Sequence, residues 1–178
     1  MPGKIAKLCK YNWSFVSWSC LKCYIILLYI SNAHQFSDEF VNMTYHRWLA
    51  PFTRVISGPT GSGKSVFTQR LLKHSQKVII PPPERILYCY GVYQEIFSKI
   101  EGVEFNEGLP SLSEFDGAKR CLLVLDDLMH ETNDIVTKLF TRVSHHTNTS
   151  IIFITQNLFH AGKETRTITL NSQYLVLF

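Results

Sequence analysis

The chain has no apolar run long enough to cross a bilayer, no internal repeat, no low-complexity tract, and very little excess of one charge. Each absence removes a class of protein. The longest uninterrupted apolar segment, Cys23 to Ile30, has eight residues, against the ~20 a spanning helix needs. Without repeats or biased tracts there is no solenoid and no disordered tail. An apolar content of 46% with 18% charged residues describes a folding chain, and 178 residues suit one core with room for an appendage. The net charge of +4 sits almost wholly in residues 1–50, where five Lys/Arg face two Asp/Glu. The remainder therefore lacks the strongly basic face of a typical nucleic-acid-binding domain. The five cysteines include one C-x-x-C, Cys20 to Cys23, with no second pair to complete a zinc site. Cys89 and Cys121 fall in apolar runs that read as buried strands, and the odd count fits a reducing compartment.

Residues 1–49 read as an extension of a domain at 50–178. Lys4, Lys7 and Lys10 precede an apolar, aromatic-rich stretch from Trp13 to Ile30. That order resembles a signal peptide or membrane anchor. Lys22 and three serines interrupt it, which equally suits a packing helix or strand, or a segment not native to the domain. No function is assigned to it.

What is present is concentrated at Gly58, Pro59, Thr60, Gly61, Ser62, Gly63, Lys64 and Ser65, a complete G-x-x-x-x-G-K-S octet. A β-type run at 53–57 leads in. A helical segment from 64 to about 74 leads out, with Val66, Phe67, Leu71 and Leu72 spaced along it. Glycines let the backbone turn so that successive N–H groups face a phosphate, and the helix start adds its positive dipole end. In such a loop the lysine, here Lys64, reaches the β- and γ-phosphates and the hydroxyl, here Ser65, ligates Mg²⁺. The octet, with Val66 directly after it, predicts an ATP-type nucleoside triphosphate site.

Further strands are expected at 85–90, 121–125, 151–155 and 174–178. Helices are expected at 94–100 and 132–144, and a polar stretch at 162–167. Alternating apolar strands and helices predict an α/β domain with a mainly parallel sheet flanked by helices. Asp126 and Asp127 close the 121–125 run, at the carboxyl end where open α/β sheets collect ligands. Asp126 is the candidate Mg²⁺ ligand and Asp127 the group that polarises water, with Glu131 in reserve. Gln156, closing the next strand, is a candidate γ-phosphate sensor. A strand between the loop strand and the acid strand would mark the additional-strand type of P-loop NTPase. Arg142 and Arg166 are each candidates to reach a neighbouring copy's γ-phosphate. His130, His145, His146 and His160 lack carboxylates or cysteines at ligand spacing and are read as helix-end and loop residues.

The blocks Val55 to Ser65, Leu123 to Met129 and Ile152 to His160, followed by Arg166 to Asn171, resemble the viral genome-packaging ATPases of the FtsK–HerA superfamily. The likeness is to the poxvirus-type branch carried by Maverick/Polinton elements and adintovirus-like viruses, over residues 50–178. The resemblance implies a homo-oligomeric ring that hydrolyses ATP to drive double-stranded DNA into a capsid, with capsid proteins as partners. It also implies assembly in the nucleus or cytoplasm, a sensing role for Gln156 and an arginine acting in trans. Asp127 stands where the superfamily commonly has Glu, and the chain stops at Phe178 inside an expected core strand, so the domain reads as C-terminally truncated. The competing readings are a nucleotide-binding remnant without turnover and a small-molecule kinase. Residues 105–116 are acidic and polar where a kinase lid would be basic.

Overall fold

The computed structural model describes residues 14–16, 24–27, 47–95, 97, 100–128, 134–158 and 163–178. Among the described residues strands and helices follow in the order β1 (Ser14–Val16), β2 (Tyr24–Leu27), β3 (Trp48–Leu49), β4 (Thr53–Ser57), α1 (Lys64–Lys73), α2 (Ser75–Val78), β5 (Ile79–Ile80), β6 (Arg85–Tyr90) and β7 (Glu104–Glu107). There follow β8 (Cys121–Asp126), α3 (Asp134–Lys138), a π-helical turn at Leu139–Val143, α4 (Ser144–His146), β9 (Thr149–Thr155), α5 (Lys163–Leu170) and β10 (Tyr174–Leu177). The main sheet runs β1-β2-β10-β4-β9-β8-β6-β7, and β3 pairs with β5 in a two-stranded parallel ribbon. All pairings from β2 through β10 to β7 are parallel. Among the described residues only β1 runs antiparallel to its neighbour.

The strands lack a polar side because both faces are covered. Successive side chains point to opposite faces. On one face Ile56, Tyr88, Leu122, Val124, Ile152 and Ile154 meet Phe67, Leu71 and Leu72 of α1. On the other, Val55, Leu87, Leu123, Leu125, Ile151 and Phe153 meet Val136, Leu139, Phe140 and Val143, with Ile168 of α5 beside them. The result is a three-layer α/β/α arrangement, as the continuous apolar runs predict.

Four local expectations change. The expected helix at 94–100 is replaced, over its described residues, by i→i+3 bonds from Phe97 N–H to Gln94 and from Ile100 N–H to Phe97, a 3₁₀ geometry. The polar stretch after it contains β7, a parallel edge strand whose Phe105 packs against the first core. The helix expected at 132–144 starts, within the described residues, at Asp134 and widens into the π turn that carries Arg142. The polar segment at 162–167 leads into α5, so Arg166 stands on a helix.

Arg54, in the middle of β4, has no exposed surface. Its guanidinium lies 3.0 Å from the centroid of Trp48, 4.9 Å from Tyr174 and 5.6 Å from Phe52. Nε, Nη1 and Nη2 have no hydrogen-bond partner. Burial pushes its pKa well below the ordinary arginine value. Aromatic faces thus stand in for a counter-ion, and cation–π attraction offsets only part of the desolvation cost. Trp48 is buried in the same cluster, so the packed unit reaches back to the first residues of β3. Arg54→Met is expected to raise stability by about 1 kcal/mol, a shift of roughly 2–4 °C in a chain this size. A lower melting temperature in a thermal scan would show the aromatic box to outweigh desolvation.

Candidate functional site

The loop from Gly58 to Gly63 joins the end of β4 to the start of α1. Gly63 holds φ +98°, a left-handed backbone that side chains disfavour, and lets the chain turn directly into the helix. A Cβ on Gly58 would lie 2.7 Å from Phe178 Cβ, so the loop's first residue has room only for hydrogen. Gly58 N–H donates to Thr155 O and Ser62 N–H to Pro59 O. Helical geometry leaves the first N–H groups of α1, from Lys64 to Val66, without intrahelical acceptors. The buried Ser62 hydroxyl has no partner. Ser65 is half-buried on this first turn and Val66 is exposed. Lys64 is buried, and its ammonium donates to Gly58 O at 2.5 Å and Pro59 O at 2.8 Å. Desolvation lowers its pKa, against the attraction of Asp126 and Asp127.

Asp126 ends β8 and is buried at 6% exposure. Desolvation pushes its carboxyl pKa up, opposed by a hydrogen bond from the Tyr88 hydroxyl to Oδ2 at 2.6 Å. Asp127 is exposed and adopts φ +54°, the only non-glycine positive φ among the described residues. Aspartate tolerates this region better than most side chains. The Gln156 amide donates from Nε2 to Asp127 Oδ2 at 3.3 Å, and its Oε1 accepts from the Thr60 hydroxyl at 3.2 Å. One amide therefore ties the glycine-rich loop to the second acid.

The expected constellation comes together: the loop with Lys64, then Gln156, then Asp126 and Asp127, at the carboxyl ends of adjacent strands β4, β9 and β8. Arg142 and Arg166 are exposed, and no hydrogen bond or ion pair links either to the loop or the acids among the described residues. Glu131, His130 and His160 lie outside the described residues, as does the C-x-x-C pair. Two contributors went unread in the sequence: Tyr88, and the Thr60 hydroxyl as the partner of Gln156. A tyrosine inside an otherwise apolar buried strand needs a polar partner, and that signal was available.

Ser65 and Asp126 offer the hard oxygens that suit Mg²⁺. No group of three His, Cys, Asp or Glu side chains among the described residues forms a metal cage. An ion here would complete its shell with water and phosphate oxygens, which is how Mg²⁺ is commonly held. Among the described residues no helix is long and apolar enough to cross a membrane. Compared with protein-family models, with curated proteins and with solved structures, the chain matches none.

The raised pKa of Asp126 has a stability consequence whose sign is fixed. The folded state holds this proton more tightly than the unfolded chain, so stability falls as pH rises from the ordinary carboxyl value, about 4, through the folded value. Asp126→Asn removes that loss while keeping an acceptor for Tyr88. Its melting temperature is expected to exceed the parent's at pH 7 and to converge with it below about pH 4. Parallel melting curves that keep a constant separation across that range would refute the assignment.

Proposed function

We propose that the domain is an ATP-binding and ATP-hydrolysing P-loop motor of the additional-strand type, a genome-packaging translocase acting on double-stranded DNA as a homo-oligomeric ring. The observation that carries this reading is the single row of strand tips, in which Gln156 bridges Thr60 of the loop to Asp127 while Lys64 and Asp126 flank it. Supporting it, β9 lies between the loop strand and the acid strand. The resemblance of Thr155 to His160 and Arg166 to Asn171 to packaging ATPases supplies the DNA and capsid partners.

In the proposed reaction the N–H groups of the loop and the start of α1 bind the phosphate oxygens. Lys64 leaves the Gly58 and Pro59 carbonyls for the β- and γ-phosphates. Ser65 and Asp126 would hold Mg²⁺, which would supply charge neutralisation to the phosphates. Asp127 accepts a hydrogen bond from the attacking water and orients it toward the γ-phosphorus, and Gln156 moves from its Thr60 contact to that phosphate. Arg142 or Arg166, both exposed, reaches the γ-phosphate of the adjacent copy.

Full-length protein should hydrolyse ATP in a Mg²⁺-dependent, DNA-stimulated manner and gain mass as an oligomer when ATP is added. Lys64→Ala and Asp127→Asn should each lower turnover by about 100-fold or more. ATP binding without turnover, with and without double-stranded DNA, would reduce the protein to a nucleotide-binding module and defeat the motor reading.

A further inference from the structure

Asp126 is buried, yet the role proposed for it requires one of its oxygens to face the nucleotide in a fixed direction. A carboxylate at a strand tip turns about its terminal torsion, which is broad and roughly two-fold. Something has to stop it. The Tyr88 hydroxyl, reaching across from the neighbouring strand β6, donates to Oδ2 at 2.6 Å in a buried bond. The donor itself is held. The Tyr88 ring lies 5.0 Å from Phe97 and 5.5 Å from Phe105, and those two stack on each other at 5.2 Å. Tyr90 extends the aromatic cluster at 5.2 Å from Phe97. Tyr88 also shares a sheet face with Leu122 and Val124, four and two residues before Asp126, so the strand pleat directs both polar groups to the α1 side. The ring is wedged against two aromatic neighbours that also contact each other, which restrains where its oxygen can lie.

We propose that Tyr88 is a positioning residue that locks Oδ2 of Asp126 and leaves Oδ1 facing the Mg²⁺ of a bound nucleotide. The inference rests on the nucleotide reading above and adds to it a residue outside the loop and the strand tips. Hydrogen-bonded partners behind a metal-facing group set its orientation and charge. Removing one typically costs about ten-fold or more in metal affinity. The competing account is that Asp126 only satisfies a buried phenol. In that case the hydroxyl matters for packing, and its loss affects stability and nucleotide binding without regard to metal.

The two accounts separate in a binding experiment that needs no turnover. Fluorescent ATP is titrated into the full chain in EDTA and again in Mg²⁺, for the parent, Tyr88→Phe, Asp126→Asn and the double variant. The parent should bind in EDTA through the loop and bind more tightly with Mg²⁺. Tyr88→Phe keeps the ring and its packing. It should hold its EDTA affinity within about two-fold while losing roughly ten-fold of the Mg²⁺-dependent gain. Asp126→Asn should lose that gain, and adding Tyr88→Phe to it should change nothing more, because the hydroxyl acts through the carboxylate. A full Mg²⁺ gain in Tyr88→Phe overturns the proposal and leaves the nucleotide site standing. So does an equal loss with and without metal. A parent that binds no ATP in either condition overturns the nucleotide reading and this proposal with it.

Discussion

The parallel register of β4, β9 and β8 is the constraint on which the candidate site depends. Ser57 pairs with Thr155, and Ile154 with Asp126, so the three strands end level with one another. Parallel strands send all their carboxyl ends to one edge, and the chemistry-bearing residues follow the last apolar position of each. A slip of one residue in β8 would turn Asp126 to the opposite face and carry Leu125 to the site edge. The alternating apolar side chains of both cores oppose that slip, because every one of them would change sides at once. Packing thus sets the register that brings the three strand tips to one edge.

The candidate site is held by interactions that a phosphate, under the proposed function, would replace. Lys64 rests on two loop carbonyls and Gln156 spans Thr60 and Asp127. Burial disfavours the charged forms of Lys64 and Asp126, and each partly relieves the other through space. Two desolvated charges of opposite sign, with a hydroxyl at Ser62 that finds no partner, stabilise the fold poorly on their own. Sites shaped for a ligand commonly carry such a local deficit, and the apolar faces of the sheet offset it.

Much of the core was legible because its signals were local. A continuous apolar run needs both faces covered, and β4, β6, β8 and β10 fall within a residue of where those runs lie. β9 begins two residues before its apolar run because Thr149 and Ser150 are buried by neighbours the sequence does not name. α5 was hidden by Thr165, Thr167, Ile168 and Thr169, whose β-branched side chains disfavour a helix, and tertiary packing of Ile168 overrides them. β7 was hidden because an exposed edge strand of Glu, Phe, Asn and Glu carries little pattern beyond Phe105. The π turn has no composition of its own. In the site, the loop and acids were readable as motifs, whereas Tyr88 depended on which strand lies beside β8, a fact of topology.

The two adjacent acids are divided by the pleat. Asp126 shares its sheet face with Leu122 and Val124, beside α1, and there it meets Tyr88. Leu128, two residues on, is buried in the opposite cluster with Leu139 and Phe140. The chain therefore has to cross the sheet edge at Asp127, and the left-handed φ of +54° is the turn by which it does so. That crossing leaves the Asp127 carboxylate exposed at the edge within reach of Gln156, while Asp126 stays buried a residue behind it. A buried carboxylate with one oxygen tied suits a fixed electrostatic duty, and an exposed one on a strained turn suits contact with mobile water. The separation of the proposed metal-facing and water-facing roles thus follows from strand geometry at one dipeptide.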